Sequence, residues 1–149
     1  MATIRLPPDF KEFLQLLNSH TVEYLLIGGY AVGYHGYPRS TGDMDVWIHT
    51  TAENARKIIQ VLNDFGFGSA GASEALFQQP HKIVRMGNPP LRIEVLTTIS
   101  GVEFAECYAS KIEDEIDGIT VNIINLDDLR ANKLASGRLK DLNDLQNLP

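Results

Sequence analysis

Tyr24-Leu25-Leu26-Ile27-Gly28-Gly29, then thirteen residues, then Asp43-Met44-Asp45-Val46-Trp47-Ile48, is the most informative stretch of the chain. Four apolar residues halted by a glycine pair predict a short buried strand that ends in a tight turn. The second run predicts another strand, Asp43–Ile48, whose two-residue period sets Asp43 and Asp45 on one face and turns Met44 and Val46 to the core. Neighbouring carboxylates repel and raise each other's pKa. A hard dication, which prefers oxygen ligands and substrate phosphates, removes that conflict. A solvated strand edge accounts for an isolated Asp-x-Asp equally well, and a simple turn accounts for an isolated Gly-Gly. Their conjunction at this spacing is much rarer than either part. Tyr30–Tyr37, rich in glycine and aromatics, predicts two helical turns before Pro38. Placed between strand and helix, Gly28 and Gly29 would let a phosphate approach the backbone closely. No Gly-Lys-Ser/Thr follows, so this is not a Walker-type loop.

On the N-terminal side, Pro8–Asn18 carries Phe10, Phe13, Leu14, Leu16 and Leu17 at helical spacing, with prolines leading in and Asp9 in the first turn. Thr51–Phe65 predicts an amphipathic helix with Ala52, Ile58, Ile59, Leu62 and Phe65 on its apolar face. Gly66–Gln79 reads as loop with one helical turn. Lys82–Met86 and Leu91–Leu96 flank Gly87-Asn88-Pro89-Pro90, a hairpin signal. A short helix is expected over Gly101–Tyr108, and a second hairpin, Lys111–Ile116 with Ile119–Ile124, turns at Asp117-Gly118. Helices follow over Leu126–Ala135 and Arg138–Leu148, broken at Ser136-Gly137. The expected class is α+β: a mixed, mostly antiparallel sheet with helices packed on it. Residues 1–149 are expected to form a single domain, with the C-terminal helices packed on the sheet.

With 149 residues, 44% hydrophobic and 21% charged, the chain has enough material for one sizeable core. The formal charge of −6 argues against general affinity for nucleic acid backbone or anionic membrane, while leaving room for a local basic site. Cys107 is the sole cysteine, which excludes an internal disulfide and a cysteine-based zinc site and makes a reducing cytoplasm the expected location. The start MATIRLPPDF lacks a secretory pattern, and no apolar run nears the ~20 residues that span a bilayer. His20, His49 and His81 show no ligand spacing. His35 could touch a base or phosphate, or could pack with Tyr30, Tyr34 and Tyr37. Thr41 suits a turn-shaping role before Asp43. Glu113-Asp114-Glu115 and Asp117 read as solvated charge on a hairpin.

Leu91-Arg92-Ile93-Glu94-Val95-Leu96 adds a third carboxylate, since charged residues avoid strand interiors unless paired or bound to metal. An outward-facing Glu94 beside Arg92, which shares its strand parity, is the alternative, and that pairing could itself orient the carboxylate. The series hydrophobic-Gly-Gly, spacer, Asp-hydrophobic-Asp, later strand Glu resembles the nucleotidyltransferase superfamily of the DNA polymerase beta type. Arg39-Ser40-Thr41-Gly42-Asp43-Met44-Asp45 resembles its AbiEii-like branch, as does the ending Lys133-Leu134-Ala135-Ser136-Gly137-Arg138-Leu139-Lys140-Asp141-Leu142-Asn143-Asp144-Leu145.

That resemblance implies transfer of a nucleoside monophosphate from an NTP to an RNA or protein hydroxyl, with release of pyrophosphate. Asp43, Asp45 and Glu94 would then be catalytic and metal-binding, holding two Mg²⁺ ions for which Mn²⁺ could substitute. Gly28 and Gly29 would support phosphates through backbone N–H groups. Arg39 would neutralise phosphate charge by bidentate contact, and Lys133 as a point charge. Relatives of this branch serve in toxin–antitoxin and phage-defence pairs. A small chain offers little separate surface for choosing an acceptor, so a partner protein or a second copy of the chain is a further expectation. The rival readings are an NTP-sensing or partner-binding module without turnover, and a metal-dependent phosphohydrolase.

Overall fold

Helix α1 (Pro8–Ser19) opens the chain in the computed structural model, which describes residues 4–67 and 72–149. Proline occupies its first turn, where the missing N–H costs nothing, and Phe10, Phe13, Leu14 and Leu17 are buried along one stripe. Strand β1 (Tyr24–Ile27) is buried at all four positions and passes directly into α2 (Gly28–Tyr34). The glycine pair is thus the first turn of that helix itself, two residues earlier than the aromatic pattern suggested. Strand β2 (Asp43–Ile48) follows, then α3 (Ala52–Phe65). Thr51 caps α3 by accepting from the Asn54 N–H at 3.2 Å, and Gly66 closes it in the left-handed conformation. Buried Asn54 accepts from the Glu23 N–H and donates to the carbonyls of Glu23 and His49, tying the helix start to the ends of β1 and β2.

A 3₁₀ turn at Leu76–Gln78 is the helical turn expected within Gly66–Gln79, of which residues 68–71 lie outside the described residues. The hairpin β3 (Ile83–Met86) and β4 (Arg92–Leu96) is as expected, and α4 (Phe104–Ala109) starts later than its sequence signal. The second hairpin is β5 (Ile112–Ile116) and β6 (Ile119–Ile123), turning at Asp117-Gly118. Helices α5 (Leu126–Ser136) and α6 (Leu139–Asn147) complete the chain, separated by Gly137 at φ +66°.

Among the described residues the strands form one sheet in the order β3-β4-β2-β1-β6-β5. Neighbours β1–β2, β3–β4 and β5–β6 run antiparallel, whereas β1–β6 and β2–β4 run parallel. The architecture is therefore the expected α+β arrangement, with a mostly antiparallel mixed sheet. Helix α1 packs on α3 and β6, and the alternating burial of β2 turns Met44 and Val46 inward. The other side of β2 carries Asp43 and Asp45. No helix among the described residues is long and apolar enough to cross a membrane.

One surface expectation changes. Glu113, Asp114 and Glu115 are exposed, but Asp117 accepts from the Leu6 N–H at 3.0 Å, and its side chain is only 17% exposed. That hydrogen bond, with Lys11 and Arg5 nearby, holds its carboxyl below the usual range and anchors the chain before α1 to the hairpin turn.

Candidate active site

Sheet register brings the sequence candidates into one row. Ile27 is opposite Asp45, Asp45 is opposite Glu94, and Glu94 is opposite Arg85 on β3. Asp43 sits two residues along β2, opposite Arg92. The three carboxylates therefore share one sheet face because β2 and β4 are parallel neighbours in this register.

The glycine pair and the acidic strand are in direct contact. A Cβ built on Gly28 would lie 2.2 Å from Asp45 Oδ2, and one on Gly29 would lie 2.8 Å from Thr41 Oγ1. Gly28 also has φ +65°, a region that disfavours side chains. Thr41 donates its hydroxyl to the Asp43 carbonyl at 3.1 Å, which fixes the entry to β2. The two motifs recognised separately along the chain are thus two sides of one tight junction.

Electrostatically, Asp45 is the strained member. Its Oδ1 is buried without a hydrogen-bond partner, a costly condition for a carboxylate. Burial first, then the adjacent Glu94 and Asp43 carboxylates, push its pKa up to about 7, while Lys140 pulls the other way. Asp43 instead faces Arg92, which donates Nε and Nη2 to its two oxygens at 3.2 and 3.3 Å. Glu94 accepts from Arg85 Nε at 3.0 Å. The alternative Arg92–Glu94 pairing is therefore not formed. Directly opposed residues on neighbouring strands stand closer than residues two apart on one strand, so each arginine takes the carboxylate across from it.

Opposite the sheet face stand α5 and α6. Lys133 is buried, with 4% of its surface exposed, and its Nζ lies 3.1 Å from both Asp141 and Asp144. Arg39 binds Asp144 through Nε and Nη2 at 2.8 and 2.9 Å. Arg138 binds Asp141 in the same fashion at 2.7 and 3.3 Å. Burial would raise both aspartates, but hydrogen bonds from Arg138, Ser136 and Lys133 hold Asp141 far below the usual range, and those from Arg39 and Lys133 lower Asp144.

A cleft of about 370 Å³ joins these parts. Its walls include Gly28, Gly29, Arg39, Asp43, Asp45 and Glu94, together with Lys133. All seven residues singled out from the sequence border one cavity. Arg85, Arg138 and Lys140 border it too and had not been singled out. Arg138-Leu139-Lys140 lay within the recognised C-terminal string, and Arg85 was readable only through the β3–β4 register. His35 lies elsewhere, bonded through Nε2 to the Ile124 carbonyl.

The oxygen-only donor set suits a hard dication, and the orphaned Asp45 oxygen is the atom that lacks a counter-charge. Arg92 and Arg85 currently engage the other two carboxylates. Among the described residues no three His, Cys, Asp or Glu side chains are placed as they stand to hold a metal ion. The chemistry fits the ion, and the arginine contacts are what it would displace.

Two solved structures share the fold. A nucleotidyltransferase candidate from Thermotoga maritima superposes with a TM-score of 0.64 at 14% identity, over 92% of this chain and 88% of that one. An antigenic nucleotidyltransferase-like protein from Paracoccidioides brasiliensis gives 0.56 at 20% identity, over 93% and 72%. At such identities the likeness is one of fold alone. No curated protein sequence matches the chain. The family model described as nucleotidyltransferase of unknown function (DUF6036) matches residues 5–148, nearly the whole length, and the chain belongs to that family.

Proposed function

We propose that the cleft binds an NTP and transfers its nucleoside monophosphate to a hydroxyl, with Mg²⁺ held by Asp43, Asp45 and Glu94. The observation that carries this reading is the unpartnered, buried Asp45 oxygen beside Glu94, in a cleft whose opposite wall is cationic. Family membership supports the reaction class. When bound, Mg²⁺ (two ions, replaceable by Mn²⁺) would offset triphosphate charge and acidify the attacking hydroxyl.

The residues divide the remaining work. Gly28 and Gly29 border the cleft beside the acidic face, and their backbone N–H groups are assigned to the phosphate oxygens. Arg39 supplies positive charge on the far wall, which Lys133 braces through its contacts with Asp141 and Asp144. Glu94 takes the acceptor's proton as the new oxygen–phosphorus bond forms at the α-phosphate. The bond from that phosphorus to the bridging oxygen breaks, and pyrophosphate leaves with the electron pair.

The finer assignment follows the Arg39-x-Thr41-x-Asp43-x-Asp45 string and the Lys133-to-Asp144 string, which resemble the AbiEii-like branch of the polymerase beta type superfamily. On that basis the acceptor is an RNA or protein hydroxyl, and the setting a toxin–antitoxin or phage-defence pair. A second reading, NTP sensing without turnover, draws on the Arg92–Asp43 and Arg85–Glu94 contacts, which neutralise two of the three carboxylates. Incubation with Mg²⁺, α-labelled NTPs and RNA or protein acceptors decides between them. Label on an acceptor, lost in Asp43→Asn, supports transfer. Nucleotide that stabilises the wild type with Mg²⁺ but labels nothing favours sensing.

A further inference from the structure

We infer that Arg39, Arg138 and Lys140 form a clamp for a linear polyphosphate, aimed by the buried pair Asp141 and Asp144, with Lys133 as the tie between those two. The inference rests on the reading of the cleft as an NTP site and adds the division of labour on its cationic wall.

The geometry is that of an anchored fork. Asp141 and Asp144 are 0% and 1% exposed and lie one helical turn apart on α6. Lys133 from α5 touches both. Each aspartate also receives the Nε edge of one guanidinium, Asp144 from Arg39 and Asp141 from Arg138. A guanidinium carries five N–H donors, and the Nε edge accounts for two of them. The outer edge of each arginine remains available, and both residues border the cleft. Lys140 borders it as well, close enough that its charge counteracts the rise in the Asp45 pKa.

The charges point the same way. Three cations, Lys133, Arg39 and Arg138, meet two aspartates in this network, leaving one positive charge in excess before Lys140 is added. An ammonium bound to two buried carboxylates has little left to offer a ligand, and withdrawing it would strand both. Lys133 is therefore a positioning residue, as are Asp141 and Asp144, while the two arginines and Lys140 meet the phosphates. The matching ligand is a chain of phosphates, as the tail of an NTP or as free pyrophosphate or tripolyphosphate. Three cationic groups on one cleft favour it over a single monoester, which can engage fewer of them.

The test is calorimetric titration of the full chain, with Mg²⁺, by ATP, sodium tripolyphosphate, pyrophosphate and AMP. R138A and K140A should each weaken ATP and tripolyphosphate about tenfold and leave AMP unchanged. D141N should match R138A, the double variant should bind no more weakly than R138A alone, and D141E should recover part of the loss. If D141N does not fold, R138K replaces it: it keeps the charge, loses the fork, and should bind tripolyphosphate more weakly. Wild-type protein that binds neither ATP nor tripolyphosphate would overturn the clamp, as would R138A and K140A binding like wild type, R138K binding like wild type, or additive losses in the double variant. Pyrophosphate binding as tight as ATP would place the recognised group in the free anion, and ATP binding tighter would place it in the nucleotide tail; both uphold the clamp. Label transfer run in parallel separates the two claims. Transfer by a wild type whose polyphosphate binding ignores these residues removes the clamp alone, whereas clamp-dependent binding without transfer removes the transferase reading alone.

Discussion

Asp45→Asn should make the metal-free protein more stable at pH 8 while abolishing its response to Mg²⁺. The side chain keeps its shape in this change and loses only its charge. In the folded protein Asp45 has its pKa raised from 3.8 to about 7, mainly by burial and then by Glu94. The folded state therefore binds more protons than the unfolded state between about pH 4 and 7, and stability falls as pH rises through that window. Above it the penalty is complete. A shift of about three units corresponds to up to about 4 kcal/mol, an upper figure because one edge of the carboxylate opens to the cleft. At roughly 2–4 °C per kcal/mol for a chain of this size, the Asn variant should melt on the order of 10 °C higher than wild type at pH 8, and by only a few degrees at pH 4–5. Differential scanning calorimetry across pH 4–8, with and without Mg²⁺, reads both effects. Mg²⁺ should raise the wild-type Tm at pH 8 and leave the variant unchanged. An Asn variant no more stable than wild type at pH 8, or a gap that does not grow with pH, would refute the claim that Asp45 is held ionised at a cost.

Gly28→Ala should cost about 1–3 kcal/mol in urea unfolding, because φ is +65° and its Cβ would meet Asp45 Oδ2, and it should also weaken Mg²⁺-dependent nucleotide binding measured by calorimetry. Lys133→Met should lower stability by about 3–5 kcal/mol by the same unfolding assay, since Asp141 and Asp144 would both keep their burial and lose their shared cation. Arg92→Ala should tighten Mn²⁺ binding several-fold in an electron paramagnetic resonance titration, because Arg92 competes for both oxygens of Asp43; unchanged affinity would show that this pair does not oppose the ion.

Much of the fold was legible because its signals are local. Strand β1 ends at the glycine pair, β2 shows its period through Asp43 and Asp45, Asp117-Gly118 turns its hairpin, and Gly137 breaks the last two helices. Boundaries moved where tertiary contact decides. Helix α2 starts at Gly28 because the close approach of Asp45 and Thr41 forces glycine into the helix's first turn. In the site, strand parity and motif spacing pointed to the glycine pair and the three carboxylates, the family resemblance pointed to Arg39 and Lys133, and all of them border one cleft. What escaped was pairing across strands and helices. Glu94 meets Arg85 and not Arg92, a fact of β3–β4 register. Lys133 is buried because α6 turns two aspartates toward it, and no local pattern around a helix lysine distinguishes that from a solvated face. Strand order also lay beyond reach, as β1 separates β2 from β6 and sets two hairpins at opposite edges.

The central claim is that Asp43, Asp45 and Glu94 hold a dication against an NTP. It is tested most directly by anomalous diffraction from a crystal soaked with Mn²⁺ and a non-hydrolysable NTP. Manganese peaks should be bonded to oxygens of all three carboxylates, with Arg92 and Arg85 released from Asp43 and Glu94, and the triphosphate lying between Gly28-Gly29 and the Arg39 wall. Nucleotide bound in the cleft with no manganese at these carboxylates, their arginine pairs intact, would contradict it.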